Sequence, residues 1–235
     1  MQKRSKDALF HRLFKTVVRP FRGGKPKFYT KDKVLENAII ITNHNDSFGP
    51  LKWAAYFPYE FKCWGSYLYF DSEALARKSF YENFIDNGDN KWLAKLNAKI
   101  CAKLLMSTSK TNRIISVYDD LRFYKTIKSS IEAYKEEKFI FIFCNYPEGF
   151  RENRIQKVMP GALVLANALQ EEGLDPNIIL AFQDKKGKNI YLDKITKLSF
   201  YQELYPNDED LLLFFKDRIN SLDQVAKDEN WQLLK

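Results

Sequence analysis

The sequence predicts an α/β domain, on three observations. Two short runs of β-branched and aromatic residues, 38–42 and 138–144, have the length and composition of buried strands. Each empties into turn-forming polar residues. Segments with helical periodicity alternate with these runs. At 235 residues the chain is long enough to bury a substantial core, and no low-complexity run or internal repeat interrupts it.

From the N-terminus, Leu9, Phe10, Leu13, Phe14, Val17 and Val18 recur at helical spacing with Lys6, Arg12, Lys15 and Arg19 between them. This predicts a basic amphipathic helix, ended by Pro20 and Gly23-Gly24 and followed by a Lys-rich connector over 25–33. Residues 1–33 hold eleven Lys or Arg and two Asp, so the other 202 residues balance to −1 of the net +8. A nucleic-acid-binding domain spreads positive charge over its folded surface, so this distribution argues against nucleic acid as the partner. A basic amphipathic helix suits an anionic membrane surface, with its apolar face in lipid and its cations at the headgroups. The alternative is a helix packed on its own domain with solvated lysines.

The run Ala38-Ile39-Ile40-Ile41-Thr42 reads as a buried strand that delivers the chain into Asn43-His44-Asn45-Asp46. Residues 71–106 read as a helical insertion. Within it Lys91, Lys95, Lys99 and Lys103 recur every fourth position, beside a row of Trp92, Leu96, Ile100 and Leu104. Two readings follow, a second surface helix or a solvated lysine face above a core-facing apolar row, and a single lysine stripe favours the second. Further strands are expected at 113–117 and 177–182, and helices at 120–136, 157–172 and 208–228. The second buried run, 138–144, ends in Asn145-Tyr146-Pro147-Glu148-Gly149-Phe150-Arg151. Functional sites of α/β sheets collect where strand C-terminal ends open into loops, so the two polar loops are expected to share one pocket.

His44 follows a buried strand and has Asn and Asp neighbours able to hold an imidazole tautomer, which suits a general base. The same neighbours could serve only as turn and helix-cap residues. In the second loop a carboxylate, a glycine and a guanidinium fall within one turn, a set suited to a polyol phosphate, with Arg154 and Lys157 as further cations. A tight turn with a surface Glu-Arg pair is the plainer reading. The three cysteines, Cys63, Cys101 and Cys144, form no CxxC pair, and two histidines are too few for a histidine-rich metal site. No apolar stretch approaches the roughly 18 residues of a membrane span, and the N-terminus lacks a signal-peptide pattern. A cytoplasmic protein, peripheral on the inner face of the membrane, is expected.

Taken in order, a strand ending in Asn-His, a strand ending in aromatic-Pro-Glu-Gly-x-Arg, and Pro160-Gly161-Ala162 opening an apolar helix resemble the glycerolphosphate and lysophosphatidic acid acyltransferase superfamily. The resemblance covers about 34–182. It implies one α/β domain over 34–235, with a mixed sheet flanked by helices. It also implies transfer of a fatty acyl group from acyl-CoA or acyl-carrier protein to a hydroxyl of a lysophospholipid or glycerol phosphate, as in phospholipid biosynthesis, with no metal or organic cofactor. By the resemblance His44 is the catalytic base, and Glu148, Gly149 and Arg151 hold the phosphate side of the acceptor, with Arg154 nearby. The family's His-x4-Asp carboxylate falls at Gly49 in this chain, which makes Asp46 the nearest acid able to orient His44. A relative that binds lipid without turnover is the alternative implied by that difference.

Overall fold

The computed structural model describes residues 25–32, 36–44, 49–86, 88–109, 113–145, 154–184, 188–229 and 231–234. The amphipathic helix expected before residue 25, and Asp46, Glu148, Gly149 and Arg151, lie outside the described residues. The described residues up to Glu60 and from Tyr134 onward form one compact unit, and Phe61–Ala133 form a second.

The first unit is an α/β layer structure. Its strands are β1 (Lys27–Thr30), β2 (Ile39–Thr42), β5 (Phe139–Phe143), β6 (Asn177–Gln183), β7 (Asn189–Leu192), β8 (Thr196–Lys197) and β9 (Gln232–Leu233). They run in the order β5-β2-β6-β7-β1-β9, with β8 beside β6. β2 lies parallel to both neighbours, β7 is parallel to β1, and the β6–β7, β6–β8 and β1–β9 pairs are antiparallel, so the sheet is mixed. All four residues of β2 and all seven of β6 are buried. Their continuous apolar runs follow, because a strand covered on both faces has no solvent side to make polar.

The helices of this unit are α1 (Gly49–Tyr56), α6 (Gly161–Glu171), α7 (Leu198–Leu204) and α8 (Asp208–Asp228). Trp53 of α1 and Phe57 just beyond it cover one sheet face, their rings 4.8 Å from Phe141 and 5.2 Å from Phe139. Phe28 of β1 reaches the same cluster, 5.5 Å from Trp53. α8 packs along β6 and β7. Its sequence specifies it at every level: Asn207 caps it by accepting from the Glu209 N–H at 2.9 Å, Asp208, Glu209 and Asp210 meet the positive end of the dipole, and Leu211, Phe215, Ile219 and Leu222 are buried.

The expected lysine-rich connector at 25–33 contains a strand. In β1 the exposed Lys27 alternates with buried Phe28, and Thr30 is buried again. Two inward side chains sufficed, because the partner β7 is supplied from far along the chain.

The second unit contains β3 (Phe61–Ser66) and β4 (Ile114–Val117), which pair in parallel, and α2 (Tyr67–Phe70), α3 (Glu73–Asp86) and α4 (Lys91–Ser109). α5 (Phe123–Lys135) belongs to it as far as Ala133. A chain of hydroxyls ties α5 to the strands: Trp64 Nε1 donates to Ser130 Oγ at 2.8 Å, and Thr126 Oγ1 donates to the Ser116 carbonyl at 2.8 Å. The insertion expected at 71–106 is the antiparallel pair α3 and α4. Its inward row differs from the one expected. Ala94, Ala98 and Ala102 are fully buried, whereas Trp92, Leu96 and Ile100 face outward. Alanines allow two helices to approach closely, and that contact turns the larger side chains to the opposite side.

Among the described residues no helix is long and apolar enough to cross a membrane.

Candidate active site

His44 continues the line of β2 beyond its last paired residue, and two buried asparagines hold it there. Thr42 is the last residue of β2 in register, opposite Phe143 on one side and Ala181 on the other. Past that point Asn43 replaces the backbone ladder toward β6. Its Nδ2 donates to the Gln183 carbonyl at 3.0 Å, and its Oδ1 accepts from the Gln183 N–H at 2.7 Å. Asn145 does the same toward β5, its Oδ1 accepting from the His44 N–H at 2.9 Å. Buried backbone groups at a strand end need partners, and side-chain amides supply them here.

The pleat puts the His44 ring on the face that carries Phe141 and Phe143, and the ring meets Phe143 edge-on at 5.3 Å between centroids. This is also the face covered by Trp53 and Phe57. Lys52 of α1 is buried. The His44 Nδ1 is shielded from solvent.

β5 ends beside His44, and the chain that leaves it at Asn145 returns at Val158, which bridges back to Asn145. The Met159 N–H donates to the Cys144 carbonyl at 2.8 Å. The segment containing Glu148, Gly149 and Arg151 is therefore rooted at both ends next to the histidine. Parallel pairing of β2 and β5 brings the roots of the two expected loops to one sheet edge.

Arg154 does not join His44. Its guanidinium pairs with Asp223 of α8 at 2.9 and 3.1 Å, donates to the Asn220 carbonyl, and lies 4.7 Å over the Phe182 ring. In the β2–β6 register Phe182 falls on the sheet face opposite to the one carrying His44. Asn220 also clasps Ile155, donating to its carbonyl and accepting from its N–H, both at 2.8 Å. Arg154 and Asn220 thus anchor the exit of the second loop on α8. Gly49, five residues after His44, is the first residue of α1 and brings no acid to the histidine.

Cys144 lies next to the site but is not available as a nucleophile. Its Sγ donates to the Thr42 carbonyl at 3.3 Å, and burial pushes the thiol up to about 12. Cys63 is likewise pushed up to about 12 by burial. A thiol held neutral neither attacks a thioester nor reacts with alkylating agents. In the native protein, iodoacetamide is expected to label the partly exposed Cys101 ahead of Cys63 and Cys144, as read by peptide mass spectrometry, with all three labelled in denaturant.

The bracing role of Asn43 and Asn145 was not foreseen from sequence, although each asparagine directly ends or follows a buried strand. Asn145→Ala removes the acceptor for the His44 N–H and is expected to cost about 1–3 kcal/mol in urea-unfolding stability. Among the described residues no cluster of His, Cys, Asp and Glu could hold a metal ion. No protein-family model matches the chain, and neither curated proteins nor solved structures give a significant match.

Proposed function

We propose that the protein is an O-acyltransferase that moves a fatty acyl group from acyl-CoA or acyl-carrier protein to a hydroxyl of a lysophospholipid or glycerol phosphate. The observation that carries the proposal is the rooting of the Asn43-His44 segment and the Asn145–Val158 loop side by side at the C-terminal ends of two parallel, buried strands. Nδ1 is shielded from solvent, and the proposal assigns the proton transfer to Nε2. Nε2 takes the hydroxyl proton as the oxygen attacks the thioester carbonyl, the C–S bond breaks, and the proton passes to the departing thiolate. The inert Cys144 favours direct transfer over a cysteine acyl-enzyme. Glu148, Gly149 and Arg151 hold the acceptor phosphate in this proposal, and Asp46 orients His44.

Purified protein, supplied with acyl-CoA or acyl-carrier protein and a panel of lysolipids and glycerol phosphate, is expected to release free thiol in step with acylated product by mass spectrometry. Absence of product with every donor and acceptor would overturn the proposal. A second reading, a lipid-binding relative without turnover, is favoured by Gly49 at the head of α1, where the family has its carboxylate. It predicts lysolipid binding in the same assay mixture with no thiol released.

A further inference from the structure

The outward face of α4 has no role in the chemistry above, and it joins exposed apolar side chains to a row of lysines. Trp92 is 70% exposed, Leu93 48%, Leu96 42% and Ile100 49%. On a helical wheel these four fall within about 100° of arc, roughly opposite the buried Ala94, Ala98 and Ala102. Lys95, Lys99 and Lys103, all exposed, run along one flank of this stripe, and the exposed Lys91 opens the helix. The 19 residues of α4 include no Asp or Glu. α3, packed against it, is an ordinary solvated helix, with Glu73–Arg77 and Lys78–Glu82 ion pairs at 3.8 and 3.9 Å. Asn90 caps α4 by accepting from the Trp92 N–H at 2.9 Å, which fixes the aromatic at the helix start.

We propose that α4 is a docking helix for a bilayer surface bearing anionic headgroups. The apolar stripe enters the boundary between headgroups and acyl chains, and the lysine row lies against lipid phosphates. A helix held on the protein by its alanine side can lie flat on the bilayer with Trp92, Leu93, Leu96 and Ile100 toward lipid. Trp92 suits this boundary, being an amphipathic ring of the kind enriched there. Charge decides the occupant. After residue 33 the chain balances to −1, so this concentration of cations is local and matches an anionic surface. A second copy docking face to face would oppose lysine rows of like charge. The inference stands whether or not the protein transfers acyl groups.

The test uses the full chain with phosphatidylcholine vesicles and with phosphatidylcholine–phosphatidylserine vesicles, each also made with bromine-labelled acyl chains that quench nearby tryptophan. Of the four tryptophans, Trp53 is buried at 1%. Expected are binding to the anionic vesicles that weakens with salt, and quenching that is largely lost in Trp92→Phe, a variant that keeps an apolar ring. Trp92→Glu with Ile100→Glu, both at exposed positions, is expected to weaken vesicle partitioning at least about tenfold with an unchanged circular dichroism spectrum. The proposal is overturned by any of three results: no vesicle binding, binding whose quenching is the same in Trp92→Phe, or self-association that the double substitution abolishes. Acyl transfer enters none of these readings, so their failure is separate from failure of the enzymatic proposal.

Discussion

His44→Ala is expected to lower acyl transfer by about 10²–10⁴-fold, the usual contribution of a positioned general base. The structure makes this substitution clean. The backbone of residue 44 is held by Asn145 through its N–H, which alanine keeps, and the preceding residue, Asn43, is tied by its side chain to the Gln183 backbone. The imidazole gives up an edge contact with Phe143. Melting temperature and vesicle binding should therefore stay near wild type while the rate of thiol release falls, measured at saturating donor. A variant that retains the wild-type rate would exclude His44 as the base. A wild type with no rate to lose would favour the reading without turnover.

The largest expected effect on stability belongs to a pair remote from this chemistry. Arg218→Ala is expected to cost about 3 kcal/mol, because it strands a buried carboxylate. Arg218 of α8 grips Asp193, just beyond β7, through Nε at 2.6 Å and Nη2 at 2.8 Å, and the Asp193 side chain is only 7% exposed. Hydrogen bonding to Asp193 raises the guanidinium above its already high value, so no attainable pH within the folded range neutralises it. Thermal unfolding should shift downward by roughly 6–12 °C for a chain of this size. Pairing Arg218→Met with Asp193→Leu should recover most of that loss, since removing both charges leaves nothing unpaired. If the double substitution is as unstable as Arg218→Ala, the cost lies in packing and not in the orphaned charge.

What the sequence disclosed, and what it hid, follow from where each signal resides. The strands at β2 and β5 and the helix α8 were legible because their instructions are local: a saturated apolar run in the strands, and a cap, an acidic first turn and a single apolar stripe in the helix. β1 was hidden because its four residues are stabilised by parallel pairing with β7, a partner more than 150 residues away in the chain that leaves no trace in local composition. α4 was legible as a helix but not in its orientation. It carries two rows at helical spacing, and ranking by hydrophobicity puts the tryptophan row inside, whereas closeness of approach to α3 puts the alanines there. At the site, position and chemistry separated in the same way. His44 could be found as a polar residue ending a buried strand, but the bonds that Asn43 and Asn145 make depend on strand register. Arg154 belongs to the second loop by sequence, yet the pleat sets Phe182, over which it lies, on the other face.

The double anchoring of the Asn145–Val158 loop has a bearing on how this scaffold could be remade. The entrance is fixed by Asn145 and the exit by the Val158 bridge, the Ile155–Asn220 clasp and the Arg154–Asp223 pair. The span 146–153 can therefore be exchanged as a cassette, its ends already set by contacts that lie outside it. If the proposed function holds, libraries confined to those eight positions are expected to change acceptor choice while leaving His44 in register, a separation that two asparagines and one arginine make available.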